Sequence, residues 1–158
     1  MRDNKNNYYI AKKIYLSDEK ALNEIGMMRY VKHPNIVAFH DLIVERDHMY
    51  LVEEFCEEGD LSFHIRRQIR KKKTYFPEEL VSQWLLQLLL AIEYLHNSKI
   101  MHRDIRPKNI FLTSRGNLKL GSFRLSKVPI RRYVDFLRRA KFGHNCYRLP
   151  LLYGSIMR

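Results

Sequence analysis

The chain has 158 residues, 46% of them hydrophobic, and a formal net charge of +12. That is enough to bury one ordinary core, on the order of 70% of the surface its unfolded form exposes, so one domain or part of a larger one is expected. No run of eighteen apolar residues occurs, and the start MRDNKNNYY lacks the apolar stretch of a secretory signal, which points to an intracellular, cytoplasmic protein and away from a spanning or secreted one.

The stretch YYIAKKIYL, residues 8–16, is rich in aromatic and β-branched side chains and predicts a strand. Ser17 then precedes DEKALNEIGMMRYVK, residues 18–32, where Leu22, Ile25, Met28 and Val31 recur at helical spacing and Asp18 and Glu19 favour the first turn. Gly26 weakens this helix by about 1 kcal/mol relative to alanine. HPNIV ends it, and residues 38–55 predict two strands joined by a polar turn at Glu45 to His48.

The second half changes period. Residues 59–73 predict a short helix ending in a basic run, and Pro77 opens PEELVSQWLLQLLLAIEYLHNS, the longest helical pattern in the chain. It is apolar on most faces, so burial in a helical subdomain is expected. Short strands flanking a loop follow, with a turn at Ser114 to Asn117.

From Phe123 onward the chain carries nine Lys/Arg against the single acid Asp135, which is +8 of the net +12. Within it, PIRRYVDFLRRAKF places Ile130, Tyr133, Val134 and Leu137 at helical spacing with arginines between them. Such a segment suits an acidic membrane, nucleic acid, a protein partner, or docking on apolar surface of its own chain; the last is favoured. Cys56 and Cys146 have no metal-ligand spacing and read as two free thiols of a reducing compartment.

The residues that carry chemistry lie in HRDIRPKN, where the carboxylate of Asp104 stands five positions before the carboxamide of Asn109. A carboxylate held in a loop can orient a hydroxyl and accept its proton, and a carboxamide oxygen can ligate a hard cation. Arg106 can neutralise charge on a transferring phosphoryl group. A purely structural reading stands beside this one, with His102 and Arg103 satisfying nearby backbone and carboxylate groups.

HRDIRPKN resembles the catalytic loop of protein kinases. The wider run YLVEEFCEEGDL, QWLLQLLLAIEYLH, MHRDIRPKNIFLT and KLGSF is similar to the NIMA-related serine/threonine kinases over about Tyr8 to Val128. The resemblance implies an α+β, protein-kinase-like fold with a partial N-lobe (strands plus helix αC) and a partial helical C-lobe over residues 1–128, followed by a basic tail over 129–158. It makes Lys12 the lysine that holds ATP phosphates, with Lys13 as a one-residue register alternative, and Glu24 its helix partner. Glu54 to Cys56 become the hinge to adenine, Asp60 a ribose contact, and Ile10 and Phe111 the apolar cover and floor. Asp104 becomes the base, Arg106 a phosphate contact and Asn109 a Mg²⁺ ligand.

Four departures qualify the activity so implied. The strand of Lys12 starts at Tyr8, too early for the two strands and glycine-rich loop that cover ATP phosphates in the family. The Asp-Phe-Gly turn reads Ser122-Phe123-Arg124, so the carboxylate that should hold Mg²⁺ is a neutral hydroxyl. Arg124 stands where the family has glycine, which predicts a strained turn there and makes its cation a candidate for the space a metal would fill. Glu53 falls at the gatekeeper position, where a buried carboxylate is costly unless paired, and competition with Glu24 for Lys12 is expected. Nothing after Val128 reads as an activation segment. The expectation is therefore a catalytically impaired kinase domain acting as a binding module, with a weakly active ATP-dependent kinase, a basic interaction protein and a gene fragment as alternatives.

Overall fold

The computed structural model describes residues 7–15, 17–72 and 74–127. The basic tail over 129–158, its helical spacing and Cys146 lie outside the described residues. Two small antiparallel sheets and three α-helices follow one another as β1 (Tyr9–Tyr15), α1 (Glu19–Tyr30), β2 (Phe39–Val44), β3 (His48–Glu54), β4 (Gly59–Asp60), α2 (Leu61–Arg67), α3 (Glu78–Asn97), β5 (Ile110–Leu112) and β6 (Leu118–Leu120). A π-helical turn, Gln68–Lys72, continues α2, and a 3₁₀ turn, Pro107–Asn109, leads into β5. This is the α+β outline of a partial kinase fold.

The first sheet has the order β1-β3-β2. Its register pairs Ile10 with Glu53, Lys12 with Leu51 and Ile14 with Met49. Because side chains alternate along a strand, all six project to one face. Ile14, Met49 and Leu51 are buried there in one cluster with Ala21, Ile25 and Met28 of α1. Lys13 belongs to the opposite face, where its ammonium lies 5.6 Å from the centre of the Tyr15 ring. The cap of α1 is Asp18, one position after Ser17: Asp18 Oδ1 accepts from the Ala21 amide at 3.0 Å.

The second sheet runs β4-β5-β6. Gly116, with φ of 78°, makes the turn between β5 and β6, and its carbonyl accepts from the Trp84 indole at 3.1 Å. Gln87 of α3 accepts from the Leu118 amide at 2.6 Å, and the Tyr94 hydroxyl accepts from the Lys32 amide at 2.9 Å. These bonds tie α3 to both sheets' surroundings.

One expectation fails here. The apolar α3 is not buried on most faces: only Trp84, Ala91 and Leu95 are buried, while Val81, Leu85, Leu86, Leu89 and Leu90 are exposed. The sequence pattern reports how apolar a helix is, whereas burial requires a second covering layer, and the described residues supply a layer on one side only.

Candidate active site

Two clusters form. In the first, Lys12 Nζ lies 2.6 Å from Glu53 Oε2 and 3.5 Å from Glu24 Oε1. The register makes Lys12 and Glu53 diagonal neighbours on one face of the sheet, and α1 lays Glu24 across that face. Lys12 rather than Lys13 therefore takes this place. Both carboxylates are 2% exposed, and each has one oxygen, Oε1, without a hydrogen bond among the described residues. Burial raises the Glu53 carboxyl above its ordinary range against the opposing attraction of Lys12, and the charge of Glu24 adds to the rise.

The second cluster is the loop between α3 and β5. Asn109 Nδ2 donates to Asp104 Oδ2 at 2.7 Å and to the Asp104 carbonyl at 2.8 Å, and Arg106 Nε lies 3.2 Å from Asp104 Oδ1. Asp104, Arg106 and Asn109 are thus brought together, with Asn109 buried beneath. His102 Nε2 lies 3.1 Å from the Gly121 carbonyl and its Nδ1 accepts from the Asp104 amide at 3.3 Å. That pattern requires the neutral ring with its proton on Nε2, and burial lowers the His102 pKa accordingly, against the pull of Gly121 and Asp104.

The turn after β6 departs from what the sequence implied. Ser122 is the residue with positive φ, at 63°, and Arg124 is not. The Arg124 guanidinium is engaged with an acid: its Nη2 lies 2.9 Å from Asp18 Oδ2 at the start of α1. The expected strain sits two residues earlier because the chain must bend sharply to bury Phe123, which is fully enclosed and meets the His102 ring edge-on at 4.9 Å.

The other positions take structural places. The Glu54 side chain accepts from the Ala38 amide at 3.1 Å and pairs with Lys119 at 2.8 Å. The Cys56 thiol is buried and pushed up to about 12, chiefly by desolvation, so it is inert at neutral pH. Asp60 caps α2, accepting from the Phe63 amide at 2.9 Å. Phe111 packs so close to Gly121 that a Cβ there would meet its ring at 2.9 Å. Ile10 is exposed on the sheet. A cavity of about 450 Å³ opens elsewhere, beside Tyr9, His40 and Glu54, and neither Lys12 nor Asp104 lines it.

Sequence reasoning missed Asn23. Its amide donates to the carbonyls of Phe123 at 3.2 Å and Ser126 at 2.9 Å, so α1 is stitched to the turn a hundred residues away. An asparagine inside a helix, where its propensity is poor, was the sole local sign.

The donor set does not fit Mg²⁺. Asn109 contributes a carboxamide oxygen and Ser122 a hydroxyl, both neutral, and the Asp104 carboxylate is engaged by Arg106 and Asn109. Among the described residues no group of three or more His, Cys, Asp or Glu side chains is placed to hold a metal ion.

Comparison with known proteins agrees with the geometry. The family described as "Protein kinase domain" matches residues 1–144, past the Val128 boundary at which the resemblance was expected to stop. The chain is 36% identical over 126 residues to the mouse serine/threonine-protein kinase Nek3, covering 78% of this chain and 24% of that protein. It is 41% identical over 112 residues to the probable serine/threonine-protein kinase nek2 of Dictyostelium discoideum (68% of this chain, 27% of that protein), and 37% identical over 155 residues to the rice serine/threonine-protein kinase Nek3 (94% and 26%). The chain spans about a quarter of the length of these relatives. It belongs to the protein kinase domain family, and within that family it is similar to the NIMA-related (Nek) serine/threonine kinases.

Proposed function

We propose that this chain is a NIMA-related serine/threonine kinase domain whose catalytic centre is impaired, and that it acts as a binding module for a protein partner in the cytoplasm. The observation that carries this reading is Ser122, a neutral hydroxyl where the family uses the carboxylate that holds Mg²⁺ against the phosphates. Losing several kcal/mol of transition-state stabilisation means roughly a thousandfold or more in rate. The attachment of Lys12 to Glu53 adds to the impairment, because the ammonium meant for ATP phosphates is already neutralised by the nearer carboxylate.

Asp104, Arg106 and Asn109 are the residues of this loop that favour a second reading, a weakly active ATP-dependent kinase with Asp104 as base. A thermal-shift titration of the purified chain with ATP, with and without Mg²⁺, separates the two. A ligand of Kd about 1 mM raises stability by about 1 kcal/mol at roughly 5 mM, so even weak binding registers. The impaired reading expects no Mg²⁺-dependent rise; a rise, with phosphotransfer that Asp104→Asn abolishes, establishes the weakly active kinase.

A further inference from the structure

The cavity of about 450 Å³ beside the first sheet has a lining that the catalytic geometry does not use, and its volume suits a small ligand or one long side chain. The strand register explains its aromatic wall. Tyr9 pairs with Glu54, and directly paired residues share a face of the sheet. On the other side of β3 the pairing slips between Phe39 and Asp41. His40 sits at that irregularity, which re-aims a side chain, and its ring stacks on Tyr9 at 4.0 Å with 19° between the planes. A second aromatic pair, Tyr8 and Phe55, also lines the cavity, with ring centres 6.5 Å apart.

The charge of the lining is opposite to that of the chain. The sequence carries 29 Lys and Arg against 17 Asp and Glu, yet among the described residues no Lys or Arg lines the cavity, whereas the acids Glu54 and Glu57 do. Glu54 is matched by Lys119 at 2.8 Å. Glu57 is held by amides instead: its own and that of Ser114, which donates to Oε2 at 3.0 Å, keep the carboxyl below the usual carboxylate range, with Arg115 a lesser contributor. Glu57 is therefore ionised at neutral pH, and a carboxylate accepts about four hydrogen bonds, so these two amides leave room for a further donor.

We propose that this cavity receives the guanidinium of an arginine side chain from a protein partner. Aromatic faces attract cations, and the guanidinium is the cation that both stacks flat on rings and forks onto a carboxylate. Tyr9 and His40 supply the stack to extend, and Glu57 the carboxylate. A lysine ammonium is a compact, strongly hydrated point charge, and this lining offers fewer acceptors to replace its water. The inference rests on the binding-module reading only in taking the partner to be a protein, since neither Lys12 nor Asp104 lines the cavity.

The test is an NMR titration of the ¹⁵N-labelled full chain with the blocked tripeptide acetyl-Gly-Arg-Gly-amide, and with the same peptide carrying citrulline, the neutral isostere, or lysine. The expected result is a saturable shift of the Tyr9, His40 and Glu57 amides with the arginine peptide, and binding weaker by about tenfold with citrulline. Glu57→Gln, a change at an exposed residue, is expected to weaken arginine binding at least about threefold, whereas Glu79→Gln at the start of α3 leaves it unchanged. No saturable shift at tens of millimolar peptide, citrulline or lysine binding as tightly as arginine, or equal affinity in Glu57→Gln overturns the proposal. The impaired-centre reading fails separately, by a Mg²⁺-dependent rise in melting temperature with ATP, and that result leaves this site standing.

Discussion

Lys12 is bonded to Glu53 in preference to Glu24, at 2.6 Å against 3.5 Å. The first distance is a charge-assisted hydrogen bond and the second only an ion-pair contact. The preference follows from the sheet: Glu53 is fixed on the neighbouring strand two residues from the partner of Lys12, whereas Glu24 must reach across from α1. Two buried carboxylates thus share one partly exposed cation. Removing the cation is expected to cost about 2 kcal/mol or more in Lys12→Met, somewhat below the value for a fully buried pair, because two uncompensated charges remain. Glu53→Leu removes one of those charges and fills its volume, so its stability is expected to match or exceed that of the parent by up to about 2 kcal/mol. Urea unfolding of the three chains at pH 7 checks both.

The same carboxyl sets a pH dependence. With its folded pKa raised above the ordinary 4.5, Glu53 keeps its proton longer in the folded chain than in the unfolded one. Stability from this group is full below about 4.5 and is lost as pH rises toward the folded pKa. The melting temperature of the parent is expected to fall relative to that of Glu53→Gln as pH is raised from 4.5 toward neutrality. A constant difference across that range would sink the assignment.

His102 works in the opposite direction. Its folded pKa lies below the ordinary 6.5, and protonation would put a donor on Nδ1, where the Asp104 amide needs an acceptor. Stability from His102 is present above 6.5 and is lost as pH falls below it. His33 shifts the same way through desolvation, so the diagnostic quantity is the difference between the parent and His102→Gln, which is expected to change between pH 7 and 5.

Asn23 and Arg124 both join α1 to the turn after β6, with unequal consequences. Asn23→Ala strips the donor from two carbonyls in a part-buried place and is expected to cost about 1–2 kcal/mol. Arg124→Ala breaks an exposed pair with Asp18 that water and salt already screen, and its melting temperature is expected to stay within error of the parent's. A large loss in Arg124→Ala would mean that this pair, and not Asn23, holds the turn.

Ser122→Asp is expected to confer a Mg²⁺-dependent rise in melting temperature with ATP that the parent lacks. Aspartate tolerates positive φ better than most residues, so the 63° at this position is compatible with the change. If the thermal-shift titration of Ser122→Asp shows no gain, Ser122 is not what limits nucleotide binding, and the Lys12–Glu53 bond is the next candidate to test.

Local pattern alone located β1, α1, the β2–β3 hairpin, α3 with Pro77 at its start, and the turn between β5 and β6. Each is announced within a window of one or two turns, by apolar spacing or by punctuating Pro, Gly and Asn. HRDIRPKN was equally legible, because its residues are neighbours in the chain and remain neighbours in space. The resemblance of Ser122-Phe123-Arg124 to the family's Asp-Phe-Gly turn likewise pointed to Ser122 in the place of a carboxylate. What the tertiary structure decided lies between segments far apart. Whether Lys12 prefers Glu53 or Glu24 depends on strand register and on how α1 crosses the sheet. Arg124 turns to Asp18, and Asn23 reaches Phe123 and Ser126, through contacts spanning about a hundred residues. The leucines of α3 are exposed because burial is a property of two packed layers, and one helix's sequence specifies only its own.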